Sequence, residues 1–377
     1  MIQVFKPSLG QEELDALAEI FKTGWIGLGP KTAEFEQKFA EYVGVKHAVA
    51  VNSATAALHL SCLALGIGSG DEVLVPTITF VSTVHAVSYC GAKPVFVDVD
   101  PETFNIDTED IIRKITPKTK AIIPVHYGGH ACDMVHIWDI ASEYNLFVIE
   151  DAAHACGGEY FGYKIGGLSQ TVFTCFSFQA VKNLPTGDGG MITTNDDTKV
   201  ALLNRLRWCG IDKSTWDRTE KNEHTQYGWY YEIKDLGLKC HMNDISAVIG
   251  LCQLKKLDEM NNRRREITNM YNKAFSDTPW INIPVELDYA KSACHNYVIK
   301  TPYRNELNLY LKEKGIATGV HYLPIHLQPY YRNQEEVSLP VAERVWKLLL
   351  TLPLYPSLTN DDVNYIIQSV LDYRFRA

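Results

Sequence analysis

The sequence lacks a C-x-x-C pair, a low-complexity linker, an internal repeat and a charged tail. The first absence matters because nine cysteines are present: Cys62, Cys90, Cys132, Cys156, Cys175, Cys209, Cys240, Cys252 and Cys294. They are odd in number and scattered, and several lie in apolar runs, where a free thiol behaves as a small hydrophobe. That usage belongs to a reducing compartment. No apolar run approaches the roughly 20 residues that a membrane-spanning helix needs. The opening Met1-Ile2-Gln3-Val4-Phe5-Lys6-Pro7 has no basic region followed by an apolar core. A soluble, cytoplasmic protein is therefore expected. An excess of positive charge is missing too. The formal charge is -9, which argues against a nucleic-acid binder, since such a protein presents a basic face.

What is present is 377 residues, 46% hydrophobic and 21% charged, enough to bury a sizeable core and to build a large domain with a smaller one attached. Helical spacing runs from Gln11 to Lys22 and from Thr32 to Val43. Short apolar runs then alternate with helical patterns. Strands are expected at His47–Val51, Glu72–Pro76, Lys93–Asp100, Ala121–Val125, Leu146–Ile149, from Phe173, and at Met191–Thr194. This alternation implies an α/β fold, a mainly parallel sheet with helices on both faces. Gly66-Ile67-Gly68-Ser69-Gly70 follows a helix and precedes a strand, the reverse of a dinucleotide fingerprint, so it reads as a helix end and turn. A long helix follows Met242-Asn243-Asp244. Beyond about Thr268 the pattern changes to a strand at Tyr297–Lys300 and helices at Arg304–Lys314, Leu339–Leu350 and Asp361–Tyr373. The expected division is a large domain over 12–255 and a smaller α+β domain over 256–377, joined by residues 1–11.

Chemistry gathers at strand ends. The run from Phe173 ends in Ser177, then offers Lys182 and the turn Thr186-Gly187-Asp188-Gly189-Gly190. A lysine near the end of a buried strand is costly or useful, because burial disfavours its charge and leaves a nucleophilic amine. Such an amine can hold a cofactor aldehyde as a Schiff base. The preceding strand ends in Glu150-Asp151-Ala152-Ala153-His154, and ligands of open parallel sheets collect outside that edge. Asn52-Ser53-Ala54-Thr55-Ala56 caps a helix; on its own it is an ordinary cap, but its free N–H groups also suit a phosphate. Phe80, just past a strand end, is a core aromatic or a stacking platform. The loop Thr23–Pro30, with Trp25, is a connector or a lip over a pocket. His126 and His130 flank a glycine pair that breaks the helix that would align them. No further ligand set follows, so no metal is expected. The segment Gly210–Asp235 is long, polar and rich in aromatics, the kind of loop that serves function or a partner.

A phosphate seat, a flat ring, an acid and an amine, in this order and each at a strand end, are what pyridoxal phosphate requires. The blocks Asn52–Leu60, Gly70–Pro76, Glu150–Ala155, and Phe176-Ser177-Phe178 with Lys182-Asn183 and Gly187–Gly190 resemble the sugar aminotransferases of the DegT/DnrJ/EryC1/StrS family. The resemblance runs from Thr23-Gly24-Trp25 through Tyr322–Pro329. It implies the aspartate-aminotransferase type of fold (PLP fold type I) and a homodimer with active sites at the interface. By position it makes Lys182 the Schiff-base lysine, Asp151 the pyridine-nitrogen partner and Phe80 the stacking ring. Ser53, Ala54, Thr55 and Ser177 become phosphate contacts, and His154 a neighbour of the cofactor. Lys239 and His241 fall where the family reaches the partner's cofactor phosphate, although the common residues there are Asn and Arg. Trp25, His321 and His326 are candidates for the substrate side. The implied activity is ping-pong transamination of a nucleotide-linked keto sugar by L-glutamate, in bacterial surface-polysaccharide (lipopolysaccharide, O-antigen) or amino-sugar biosynthesis. Alternatives are a keto-sugar dehydratase or lyase of the same fold, whose family members carry histidine at the lysine position, and a non-catalytic cofactor-binding regulator.

Overall fold

A computed structural model describes residues 1–168, 170–213, 216, 229–334 and 336–373. Helices α1 (Gln11–Thr23) and α2 (Pro30–Val43) lead into β1 (His47–Val51), α3 (Ala54–Ala64), β2 (Glu72–Pro76), α4 (Ser82–Tyr89) and β3 (Lys93–Val97). Then come α5 (Thr108–Lys114), β4 (Thr119–Ile122), α6 (Met134–Tyr144), β5 (Phe147–Asp151) and two short strands, β6 (Glu159–Tyr160) and β7 (Tyr163–Lys164). The large unit continues with β8 (Phe173–Ser177), β9 (Gly190–Thr194), α7 (Asp197–Leu206) and α8 (Asp244–Phe275). Seven strands form one sheet in the order β1-β9-β8-β5-β4-β2-β3. All pairings are parallel except the two made by β9, which runs antiparallel to both β1 and β8. The expected α/β fold with a mainly parallel sheet is therefore found.

Both faces of the sheet are covered because its strands are apolar on both sides. Leu58, Leu60, Val84 and Leu203 from α3, α4 and α7 pack one face. Phe35, Phe39, Ile137, Ala247 and Leu257 from α2, α6 and the first half of α8 pack the other. A third cluster holds Ile267, Tyr271 and Phe275 from the second half of α8. After the short strand β10 (Ala290–Lys291), the residues packed with them come from β11 (Tyr297–Lys300), α9 (Arg304–Glu313), β12 (Leu349–Leu352) and the last helix, Asn360–Tyr373. The N-terminal segment joins this cluster through the Ile2 amide on Gly315 O (2.8 Å) and Val4 O, which takes the Leu354 amide (3.0 Å). Helix α8 runs unbroken through position 255/256, so the two clusters share one helix.

Two expectations need correction. The strand expected over Ala121–Val125 is β4, Thr119–Ile122. From Ile123 the chain bends toward the carboxyl end of β5, where the His126 amide donates to Asp151 O (3.1 Å). The helix expected over Leu339–Leu350 is only Pro340–Val345, and Leu349–Leu352 pairs antiparallel with β11. All four residues of β12 are buried, so its leucines fill a sheet rather than one helical stripe. Gly66 and Gly70 both have positive φ, 66° and 94°, as the turn between α3 and β2 requires. Of the segment Gly210–Asp235, residues 214, 215 and 217–228 lie outside the described residues.

Candidate active site

The parallel pair β5 and β8 places Asp151 opposite Cys175, with Ser177 two residues further along the same edge. Lys182 follows in a turn closed by its own amide on Gln179 O (2.8 Å). The reversed strand β9 returns past the start of α3, and there glycine is required. A Cβ on Gly190 would lie 2.6 Å from the Ser53 carbonyl carbon and 2.7 Å from the Ala54 nitrogen. The result is a cavity of about 380 Å³. From the expected set it brings together Ser53, Ala54, Thr55, Phe80, Asp151, His154, Ser177, Lys182 and His321, with Tyr322 on its wall.

Each group has a definable state. Ser53 caps α3 by accepting the Ala56 amide (3.1 Å). The Ala54 and Thr55 amides are not engaged among the described residues, so two donors at the positive end of the helix dipole face the cavity. Phe80 is 58% exposed, so it is not a core residue. Asp151 accepts Thr83 Oγ1 (2.7 Å) and the Ala153 amide (3.1 Å). Burial raises its pKa from the ordinary aspartate value, against the pull of those hydrogen bonds and of Lys182. Burial pushes the Lys182 amine down to about 8, although Asp151 draws it up. Burial likewise holds His154 well below its ordinary value and His321 down to about 4, with the Lys182 charge adding to both. These imidazoles are neutral near pH 7.

The other expected residues sit elsewhere in the chain. Trp25 donates Nε1–H to Leu28 O (3.1 Å) and meets Trp216 edge-on at 4.8 Å. His326 is buried beside Phe96, with Nδ1 2.6 Å from Thr77 Oγ1. Lys239 and His241 lie on a segment that runs along the end of β1, where Cys240 O takes the Asn52 amide (2.7 Å). The Lys239 ammonium stands 4.3 Å from the Trp208 ring centroid, and His241 packs edge-on to the same ring at 4.4 Å. Burial, with Lys239 and Arg207 nearby, pushes His241 down to about 4.

Behind the site, Glu150 is fully buried, 2.7 Å from His126 Nε2, and accepts the Thr171 hydroxyl. His130 Nε2 instead takes the Leu287 amide (3.0 Å). Among the described residues no group of three or more His, Cys, Asp or Glu could hold a metal.

Sequence reasoning missed Tyr322 and three further neighbours. Thr83 orients Asp151. Asn183 donates to Asn261 Oδ1 and to Ala293 O, both at 2.8 Å. His295 is buried, stacks on His154 at 4.5 Å and bonds Asn183 through Nδ1 (3.0 Å). The adjacency of Asn183 to Lys182 was the one local signal; His295 lies 112 positions from Asn183 and gave none.

The cavity fits pyridoxal phosphate on its own geometry. Two unengaged amides and the Ser177 hydroxyl suit a phosphate, Phe80 suits a flat ring, and Asp151 suits a pyridine nitrogen. Among the described residues the Lys182 amine has no hydrogen-bond partner, so it is open to an aldehyde. Comparison with known proteins bears on the same point. A family model for the DegT/DnrJ/EryC1/StrS aminotransferase family matches residues 7–371. The spore coat polysaccharide biosynthesis protein SpsC of Bacillus subtilis is 43% identical over 376 residues, covering 97% of this chain and 95% of its own. The crystal structure of the aminotransferase TlmJ from Streptoalloteichus hindustanus is 35% identical with a TM-score of 0.92, covering 100% of this chain and 99% of its own. Spr1654 from Streptococcus pneumoniae, solved in a PMP-form, is 31% identical with a TM-score of 0.92 and full coverage of both chains. It is also solved in a PLP-form.

Proposed function

The chain belongs to the DegT/DnrJ/EryC1/StrS aminotransferase family, and from that premise we propose that it transfers the amino group of L-glutamate to the ketone of a nucleotide-linked sugar. It is an aminotransferase of PLP fold type I, and its cofactor is pyridoxal phosphate. When bound, that cofactor supplies an aldehyde for amines and a pyridine ring that draws electrons from the carbon being rearranged. The placement of Lys182 opposite Asp151, in a cavity whose floor is the start of α3, carries this reading.

The chain's own groups divide the work. The Ala54 and Thr55 amides and the Ser177 hydroxyl hold the phosphate. Phe80 supports one ring face. Asp151, with its other contacts satisfied by Thr83 and Ala153, keeps a proton on the pyridine nitrogen. Lys182 Nζ, whose amine has no hydrogen-bond partner among the described residues, would hold the aldehyde. The free amine would serve as general acid and base, carrying a proton to or from the substrate carbon. Donor and acceptor use the site in turn, a ping-pong order. A second copy of the chain is proposed to complete the site, with Lys239 and His241 reaching the partner's phosphate. Trp25 and His321 are assigned to the substrate side; His326, buried against Thr77 and Phe96 and outside the cavity, is not. The exposure of Trp229, Tyr230, Ile233 and Leu236 (70%, 48%, 71% and 96%) supports coverage by such a copy. The likeness to SpsC points to surface-polysaccharide or amino-sugar biosynthesis.

A panel of nucleotide-linked keto sugars with L-glutamate, read by product mass, tests the assignment. The expected result is one amino sugar product formed together with 2-oxoglutarate. Loss of water without gain of nitrogen would instead establish a dehydratase, and no product from any sugar would remove the sugar assignment.

A further inference from the structure

Tyr322 stands on the wall of the cavity, with its ring centroid 6.2 Å from that of Phe80 and its hydroxyl 3.1 Å from His154 Nε2. The direction of that last hydrogen bond follows from the other side of the imidazole. His154 Nδ1 faces the Gly128 amide at 3.4 Å. A backbone N–H can only donate, so Nδ1 carries a lone pair, and a neutral ring then keeps its hydrogen on Nε2. That hydrogen fills the acceptor side of the Tyr322 oxygen, and the phenolic hydrogen is left over. Among the described residues nothing accepts it.

The surroundings hold this arrangement in place. The His154 ring stacks on His295 (4.5 Å, 28°), and His295 stacks in turn on Phe5 (5.2 Å, 0°). His295 has its own orientation fixed. Asn183 gives Nδ2 to the Ala293 carbonyl, so its Oδ1 must face His295 Nδ1, which therefore donates. One contact chain thus runs from the residue next to Lys182 to the Tyr322 hydroxyl. From the other direction, the Tyr127 hydroxyl donates to the carbonyl of His321 and pins the backbone before Tyr322.

We propose that Tyr322 presents its hydroxyl hydrogen to the carbonyl oxygen of the bound ketone, with His154 as the positioning residue that directs it and His295 as the support that holds His154. This deepens the reading of the substrate as a carbonyl compound and rests on it. As the incoming nitrogen bonds to the carbonyl carbon, the π electrons move onto the oxygen, and the phenol stabilises that growing charge by hydrogen bonding. It keeps its own proton, as burial beside Asp151 favours. Donors of this kind, aimed where charge develops, are worth about 10²–10³ in rate.

Two measurements decide it. Imidazole nitrogen NMR of the ¹⁵N-labelled full chain at pH 7 is expected to show His154 as the Nε2–H form and His295 as the Nδ1–H form. An Nδ1–H or doubly protonated His154 overturns the proposal. In single turnovers of pyridoxamine-phosphate-loaded enzyme with 2-oxoglutarate, Tyr322→Phe is expected to slow the reaction about 100-fold with little change in half-saturating concentration. The pH midpoint of the cofactor's visible absorbance should stay in place. His154→Gln, which keeps a donor, should retain far more rate than His154→Leu. An unchanged Tyr322→Phe rate overturns the assignment, and so does a shifted absorbance midpoint, since the hydroxyl would then face the cofactor. If wild type ignores 2-oxoglutarate, the glutamate reading fails and the tautomer result still decides the role of His154.

Discussion

At Lys182 two influences oppose each other on one nitrogen. Burial disfavours the ammonium and Asp151 favours it; burial prevails and the pKa falls to about 8. An unfolded lysine keeps its proton up to about 10.4. Between these values the unfolded chain holds a proton that the folded chain has released. Stability from this group therefore rises with pH through that window, and the penalty is fully present below about 8. The same shift sets reactivity, because only the neutral amine attacks an aldehyde. Capture of pyridoxal phosphate by apoprotein should accelerate with pH around a midpoint near 8, not above 10; stopped-flow absorbance measures this. Lys182→Ala should leave no pyridoxyl adduct after borohydride reduction, as read by mass spectrometry. Asp151→Asn keeps the Thr83 contact but cannot hold a proton on the pyridine nitrogen. Its kcat should fall by about 10²–10⁴ while cofactor still binds, and an unaltered kcat would remove its role. These residues could be read from the sequence because an acid or an amine directly after a buried apolar run is conspicuous. His295 could not, since its partners Asn183 and His154 are joined to it only by the fold.

Among the elements, β9 and α2 show what a linear pattern conceals. The Gly189-Gly190 pair was legible as a turn, but the need for glycine arises from α3, far earlier in the chain. Gly190→Ala would force β9 away from the start of α3. The expected loss is about 1–3 kcal/mol of stability by overpacking together with weaker pyridoxal phosphate binding, measured by denaturant titration and by fluorescence. The N-cap of helix α2 is Gly29, which has no side chain to serve as a cap. The cap comes instead from Asp244 at the start of α8, which accepts the Lys31 and Thr32 amides (3.1 and 2.8 Å) and the Thr32 hydroxyl (2.7 Å). The sequence offered Asp244 only as the start of its own helix. Asp244→Ala should lower stability by about 2 kcal/mol, and an unchanged unfolding midpoint would refute the cross-helix cap. The misread strand β12 teaches the same lesson. Its run of leucines is compatible with a helix, and a partner strand some 50 residues upstream decides otherwise.

For the whole molecule, the strand and helix alternation was enough to give the layered α/β architecture, since burial on both sheet faces leaves continuous apolar runs. The reversal of β9 was not legible, because a short apolar strand carries no mark of its direction. The exposed apolar side chains from Trp229 to Leu236 make self-association the expected state. Light scattering should give the mass of a dimer, and Leu236→Glu should shift it toward the monomer with the circular dichroism spectrum retained. A wild-type monomer would remove the shared site.

Helix α8 has 32 residues, a rod of about 48 Å whose first half is embedded against the sheet and whose second half is the spine of the third cluster. A continuous helix is a lever and not a hinge. The distal cluster can swing relative to the sheet only by bending hydrogen-bonded turns in the middle of α8. Relative movement of the two packed bodies is then resisted by every intact turn of that rod.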